Sequence, residues 1–485
     1  MWEILSAYWP HILGFASLGL TVLAASHAAM TKDEVRAAIG WVGVIVLSPI
    51  IGPLIYAVAG INRMRRASIV SQRKARAGSD AAAEPFGVTD DEIAAGFGRR
   101  FSALRALGDR VARCGLRSGN AIRTLPTGDE AYAAMSEAIR AARRSIILES
   151  YIFDRDPLGL RIADALIAAA RRGVAVRVLI DAVGARYSVP SIVGYLQRGG
   201  VPVDVFNGNI IMGLRLPYAN LRTHRKLLII DGRTAFAGGM NIRQGFAAEF
   251  AGEAAGHDTH FRIEGPVVED LFAIAAEDWR FASGEELAGD GWAAEARGAV
   301  QGETVLMRAV ASGPDSSLET NHKLLIGAFS VARRTIRIMS PYFLPDRELI
   351  SALVTAARRG VAIDIVVPDV NNLVLIDRAM RAQFDQVLKD GCRVWRATGS
   401  FDHSKLLAID GTWAYVGSSN LDARSLRLNF EVDLEVLDQG FARAVEARID
   451  AAIARARPVT LAALRAEPFP LRLLDRMLWL CSPYL

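Results

Sequence analysis

The segment Ala169-Ala-Arg-Arg-Gly-Val-Ala175 recurs as Ala356-Ala-Arg-Arg-Gly-Val-Ala362, and a chain that repeats itself in this way has to build one unit twice. The repeat extends beyond seven residues. Arg143-Arg144 and the strand-like run Ser145 to Phe153 match Arg333-Arg334 and Thr335 to Phe343. In each copy a helical stretch follows, then glycine, then a second apolar run, Val174 to Ile180 or Val361 to Val367. Strand, helix, glycine and strand in that order form a βαβ unit, so the expected fold class is α/β with two duplicated halves. The halves are placed at 121–295 and 296–457, after a connector at 67–120 that has a helical stretch near Asp90 to Arg113.

Each half carries the same chemical motif. The first reads Thr-His224-Arg-Lys226-Leu-Leu-Ile-Ile-Asp231-Gly, the second Asp-His403-Ser-Lys405-Leu-Leu-Ala-Ile-Asp410-Gly. Only six of the 57 basic residues are lysine, and chance would supply on the order of 0.005 copies of the pattern in this composition. In an extended chain residues i and i+2 project from one face, so each His points with its Lys. A fixed imidazole beside a fixed ammonium suits phosphodiester chemistry: the Lys holds a phosphate oxygen while the His attacks phosphorus or moves a proton. Asp231 and Asp410 fall on the opposite face, where a turn-forming role and an orienting role are equally open.

After each Asp-Gly turn comes a second strand with a small, polar tip, Gly238-Gly239-Met-Asn241 or Gly417-Ser418-Ser419-Asn420. His, Lys, Asp and Asn all keep one offset of 179 residues between halves. Small residues such as Ser418 let the backbone approach an oxyanion, and the amides of Asn241 and Asn420 can donate to a phosphate oxygen. An acid follows in each half, Asp258 and Glu431, suited to orient an imidazole from behind. His11, His27, His257, His260 and His322 lack this context and are read as packing or surface residues.

The amino-terminal region points to a membrane. Ile4 to Met30 and Ala37 to Ala59 contain no Lys, Arg, Asp or Glu, and each is long enough to span a bilayer core of about 30 Å. Two transmembrane helices are therefore expected within 1–66. The basic cluster Arg63, Arg65, Arg66, Arg73, Lys74 and Arg76 holds the following chain, and both termini, on the cytoplasmic side. Cys114, Cys392 and Cys481 are too few and too far apart for a disulfide framework or a zinc site. Residues 458–485 form an amphipathic segment, with Leu471, Leu474, Leu478 and Trp479 beside Arg472 and Arg476, suited to a membrane interface or to packing on the catalytic halves.

These residues resemble the phospholipase D superfamily and, within it, the bacterial cardiolipin synthases. The likeness covers the apolar amino-terminal region ending in Ile61-Asn-Arg-Met-Arg-Arg66, both halves, and Leu478-Trp-Leu-Cys-Ser-Pro-Tyr-Leu485. It includes Asn220-Leu-Arg-Thr-His-Arg-Lys226, Ser340-Pro-Tyr-Phe-Leu-Pro345 and Ala423-Arg-Ser-Leu-Arg-Leu-Asn-Phe-Glu431. The resemblance implies two phospholipase D-like halves about a pseudo-twofold axis, a phosphohistidine on His224, acid–base work by His403, and a phosphoryl clamp of Lys226, Lys405, Asn241 and Asn420. It implies no metal and no cofactor. The implied reaction transfers a phosphatidyl group from one phosphatidylglycerol to another in the bacterial inner membrane, with phospholipid hydrolysis and nuclease action as alternatives. The membrane segment and the lack of a basic, aromatic-rich surface argue against nucleic acid as a partner.

Overall fold

A computed structural model describes residues 2–32, 34–60, 86–112, 114–207, 221–293, 305–480 and 482. The basic cluster from Arg63 to Arg76, the stretch Ile61 to Arg66, Asn220 and Cys481 lie outside them. The chain forms two compact units, an amino-terminal one built on Met1–Arg65 and a large one holding nearly all the rest.

In the amino-terminal unit Trp2–Thr31 is a continuous helix, and its portion Tyr8–Thr31 is long and apolar enough to cross a membrane. The second expected span is not one helix. Val35–Leu47 has 13 residues, about 20 Å at 1.5 Å per residue, which falls short of a bilayer core. It stops because Pro49 disfavours helical geometry at the residue before it, and Ser48 accordingly adopts φ −135° and ψ 78°. The chain then turns and comes back through Ile51–Ile55 and a π-helical turn at Tyr56–Gly60. Gly52 makes the turn possible, since a Cβ there would lie 2.3 Å from the Val44 carbonyl oxygen.

The large unit is organised by one continuous mixed sheet. From its middle outwards the first half contributes Arg117–Leu125, His260–Glu264, Thr234–Gly238, Leu227–Ile230, Ser145–Ser150, Ala175–Asp181 and Val203–Phe206. The second half contributes Val305–Ser312, Asn429–Leu437, Trp413–Gly417, Leu406–Ile409, Thr335–Met339, Ala362–Pro368 and Arg393–Ala397 in the equivalent order, then Ala456–Val459. The halves join where Arg117–Leu125 runs antiparallel to Val305–Ser312. The three outer strands of each half that carry the βαβ units are parallel. Ser145–Ser150 is buried along its whole length, as strands covered on both faces must be.

The repeated Ala-Ala-Arg-Arg-Gly sequence is a helix terminus. Pro157–Arg171 and Arg347–Arg358 begin under Asp156 and Asp346, whose carboxylates accept from the amides of Gly159 and Leu349 at 2.8 and 3.1 Å. They end at Gly173 (φ 92°) and Gly360 (φ 91°), a left-handed geometry that favours glycine. Arg172 and Arg359 reach back to the carbonyl oxygens of Ile139 and Phe329. Each half has its own core: Ile146, Leu148, Val176 and Val178 under Leu158, Ile162 and Leu166 in the first, Ile336, Ile338, Ile363 and Ile365 under Leu349 and Leu353 in the second. Each such fully buried aliphatic side chain contributes about 1.5–3 kcal/mol.

The expected connector helix divides at Gly98 (φ 93°) into Asp90–Phe97 and Arg99–Ala112, and its Phe101 and Leu104 join the second half's core. The carboxy-terminal helix Phe469–Leu480 packs through Leu478 and Trp479 and through an Arg378–Asp475 ion pair of 3.3 Å. Its Phe469, Leu473, Leu474 and Met477 remain exposed. Cys114 and Cys392 are buried and unlinked.

Candidate active site

Each motif lies on the approach to a buried strand rather than within it. The ladders cover Leu227–Ile230 and Leu406–Ile409, and His224 and Lys226, like His403 and Lys405, precede them. The alternation still holds. His224 and Lys226 both flank the Tyr151 ring, at 5.2 Å between ring centroids and 5.4 Å from Nζ to centroid, whereas Arg225 between them turns away to pair with Asp278. Nζ of Lys226 donates to the His224 carbonyl oxygen at 2.5 Å, and Lys405 does the same to His403.

The site is assembled by exchange between halves. His224 Nδ1 lies 3.0 Å from Glu431 of the second half, and His403 Nδ1 lies 2.8 Å from Asp258 of the first. The backbone makes the same exchange: the amide of His224 donates to Phe430 at 2.8 Å and that of His403 to His257 at 2.7 Å. With Nδ1 committed to a carboxylate, Nε2 is the nitrogen each ring keeps for chemistry. Both imidazoles line a single cavity of about 790 Å³, together with Tyr151, Asn241, Tyr342 and Asn420.

Burial shapes the charges here. Both imidazoles are held well below the usual histidine range, first by desolvation and then by Lys226 and Lys405, so both are neutral near pH 7. Burial also pulls Lys226 down to about 7 and Lys405 to about 8. It pushes Asp258 up to about 7 and raises Glu431. Two partly quenched ammonium groups beside the cavity-lining imidazoles form a site that gains by taking in an anion.

Two groups of expected site residues sit elsewhere. Asp231 and Asp410 do not line the cavity; they close the hairpins at the far ends of their strands. With Gly232 and Gly411 they take φ values of 53°, 64°, 56° and 60°, the left-handed pair that a type I′ turn requires. Their carboxylates accept backbone amides at the entry to the neighbouring strand, from Arg143, Arg144 and Ser145 and from Arg333, Arg334 and Thr335. Ser418 is fully buried behind the site, where its hydroxyl donates to Glu431 at 2.6 Å. Its counterpart Gly239 makes room for the other acid, since a Cβ there would lie 2.7 Å from Asp258. Ser418 and Gly239 thus serve the carboxylates behind the imidazoles. Asn241 accepts from the Ile152 amide at 3.1 Å and, with Asn420, faces the cavity.

Several neighbours escape the motif. Tyr151 directly follows Ser150, whereas Tyr342 lies two places after Ser340, where the repeated frame puts Ile152; all three line the cavity. Arg225, hidden inside the motif, has only Ser404 at its counterpart, which pairs with Thr259 at 2.9 Å. Among the other histidines, Nε2 of His322 lies 3.0 Å from an Asp346 carboxylate oxygen, away from the cavity.

Comparison with known proteins agrees with this geometry. The family model described as "Cardiolipin synthase, PLD-like domain" matches residues 135–250 and 325–453, and "Phospholipase_D-nuclease N-terminal" matches 19–60. Cardiolipin synthase A of Pseudomonas aeruginosa is 33% identical over 92% of this chain and 91% of its own. Cardiolipin synthase A of Pectobacterium carotovorum is 31% identical over 100% and 98%, and cardiolipin synthase of Alkalihalophilus pseudofirmus 30% over 92% and 88%. Among solved structures, phosphatidylserine synthase of Haemophilus influenzae superposes with a TM-score of 0.59 at 16% identity, over 79% of this chain and 100% of its own, a likeness of fold. Two matched PLD-like segments, relatives aligned along nearly their full lengths and one cavity lined by both motif histidines place this chain in the cardiolipin synthase family of the phospholipase D superfamily.

Proposed function

We propose that this protein is a cardiolipin synthase that transfers a phosphatidyl group between two phosphatidylglycerol molecules through a phosphohistidine. The observation that carries the reading is the crossed pair of neutral imidazoles, each backed by the other half's carboxylate and facing one cavity. In the first step Nε2 of His224 attacks phosphorus, the bond from phosphorus to the glycerol oxygen breaks, and the leaving oxygen takes the Nε2 proton of His403, an imidazole that takes up this proton when the anionic phosphodiester enters the site. In the second step His403 accepts the proton of the acceptor's terminal hydroxyl. That oxygen attacks phosphorus and the phosphorus–nitrogen bond breaks, leaving cardiolipin and free His224. Lys226, Lys405, Asn241 and Asn420 hold the phosphoryl oxygens, and Glu431 and Asp258 hold the rings. The resemblance to the family supports giving His224 the first role.

A bilayer substrate fits the surface. Exposed Tyr187 and Val189 in one half, and Leu373, Val374 and Leu375 in the other, stand at and beside the mouth of the cavity, where they can enter the lipid interface. The apolar face of Phe469–Leu480 adds to this surface. The arginine-rich sequence after the membrane segment supports a cytoplasmic catalytic unit at the inner membrane. Purified protein in phosphatidylglycerol vesicles is expected to yield cardiolipin and glycerol in equal amounts; phosphatidic acid as the sole lipid product would overturn the reading in favour of hydrolysis. Labelled lipid phosphate trapped by acid quench on His224 in His403→Ala protein tests the division of labour, and label on any other residue would reverse it.

A further inference from the structure

The duplication that builds the site fails at several positions on the cavity wall: Arg243, paired with Asp154 at 3.1 Å, has Asp422 as its counterpart, and three further positions differ in one common sense. By the 179-residue offset, Arg222 corresponds to Phe401, Gly245 to Arg424 and Phe246 to Ser425. All six line the cavity. The aromatic members gather about His403, with ring centroids of Phe246 and Phe401 at 6.1 and 5.7 Å from it, and Tyr342 adds a third ring at 6.3 Å. The cationic members act on the other side: the field of Arg424 reaches His224 and that of Arg222 reaches Tyr151 beside it. Half-buried Arg424 has no hydrogen bond or ion pair from its guanidinium among the described residues, and Asp422 nearby spends its carboxylate capping the helix Ala423–Arg427. A two-faced site symmetric in everything that handles the reacting phosphate is therefore polarised in what surrounds it.

Resting on the transfer reading above, we propose that Arg424, assisted by Arg222, is a subsite for a second phosphodiester, that of the acceptor lipid. Lys226 and Lys405 already balance the reacting phosphate. A further guanidinium left without a protein partner in the same cavity calls for a further anion, and a guanidinium is the side chain best matched to phosphate oxygens. The acceptor brings one, three glycerol carbons away from the hydroxyl that reacts. Water and simple alcohols bring none, so the subsite favours transfer to lipid over hydrolysis. The test is the ratio of cardiolipin to phosphatidylethanol formed by Arg424→Gln in phosphatidylglycerol vesicles containing ethanol. The ratio is expected to fall about tenfold or more, the worth of one charge-assisted hydrogen bond, with the KM for acceptor lipid rising and Arg424→Lys recovering part of it. An unchanged ratio, including equal loss of both products, would overturn the subsite. A wild-type protein that forms neither product would instead defeat the transfer reading beneath it.

A separate observation concerns the membrane. Three contacts fix how deep the segment after Lys32 goes: the Thr21 hydroxyl reaches the Pro49 carbonyl at 3.1 Å, His27 lies 2.8 Å from the Tyr56 hydroxyl, and Lys32 donates to the Gly60 carbonyl at 2.5 Å. The outgoing and returning arms thus turn level with Thr21, about 16 Å from the Lys32 end at 1.5 Å per residue, half of a bilayer core. We infer that Val35–Gly60 is a re-entrant hairpin and that the chain crosses the membrane once. Lys32, Arg36 and the arginine-rich sequence after Gly60 then share one side, and Glu3 faces the other. In full-length protein with the native cysteines replaced by serine, single cysteines at Glu34 and Ala288 should share their accessibility to an impermeant maleimide, with Glu3→Cys opposite. Glu3→Cys and Ala288→Cys labelling from the same side would restore two crossings.

Discussion

Glu431 and Asp258 show how far a residue's role depends on a partner more than a hundred positions away. Each carboxylate lies within hydrogen-bond distance of Nδ1 of the other half's histidine, so Glu431→Gln and Asp258→Asn keep the shape and remove the charge behind an imidazole. Each is expected to lower kcat on the order of a hundredfold or more with little change in KM, measured on phosphatidylglycerol vesicles. A loss expressed in KM alone would move these acids from ring orientation to lipid binding. The two lysines make a pH prediction. Their values of about 7 and 8 in the folded protein lie below the ordinary lysine value of about 10.4. With no anion bound, the two lysines therefore carry fewer protons in the folded protein than in the unfolded chain, and their contribution to stability grows as pH rises from about 7 towards 10. An anion in the site reverses the shift, so sulfate binding at pH 8 should take up protons. Titration calorimetry in two buffers of different ionisation enthalpy measures this, and binding without proton uptake would contradict it.

At the scale of the element, Asp231 and Asp410 close hairpins and tie each to the neighbouring strand. Asp410 ties three backbone amides and the Arg100 guanidinium to one turn. Asp410→Ala should cost about 3 kcal/mol in urea unfolding, because buried donors lose a charged acceptor and a left-handed residue gains no compensation. kcat of the protein that remains folded at low temperature should stay within a few-fold of wild type; a collapse of kcat in fully folded protein would return Asp410 to the chemistry. The sequence already showed the turn, since Asp-Gly between apolar runs is a hairpin signal. It also showed the second apolar stretch but not its break, because hydropathy counts Pro49 without registering what proline does to Ser48.

For the whole molecule, the crossed contacts make the two halves one enzyme. Neither 121–295 nor 296–457 holds both a histidine and the acid that orients it, and the sheet passes from one to the other through Arg117–Leu125 and Val305–Ser312. The halves expressed separately should be inactive, and co-expression should restore phosphatidyl transfer in membranes. Activity from either half alone would require a different pairing, such as two copies of one half.

The sequence by itself determined the duplication, the α/β class, the two His-Lys pairs and the apolar amino terminus, because these are matters of period, spacing and composition that local chemistry writes directly into the chain. It could not say which acid serves which histidine, since Asp258 and Glu431 each follow a motif in their own half and act on the other. It also left the cavity's polarity unread. Arg222, Phe246, Phe401 and Arg424 are ordinary residues until the sheet brings both halves to one wall, and only then does a repeat of 179 residues become a site with two unlike sides.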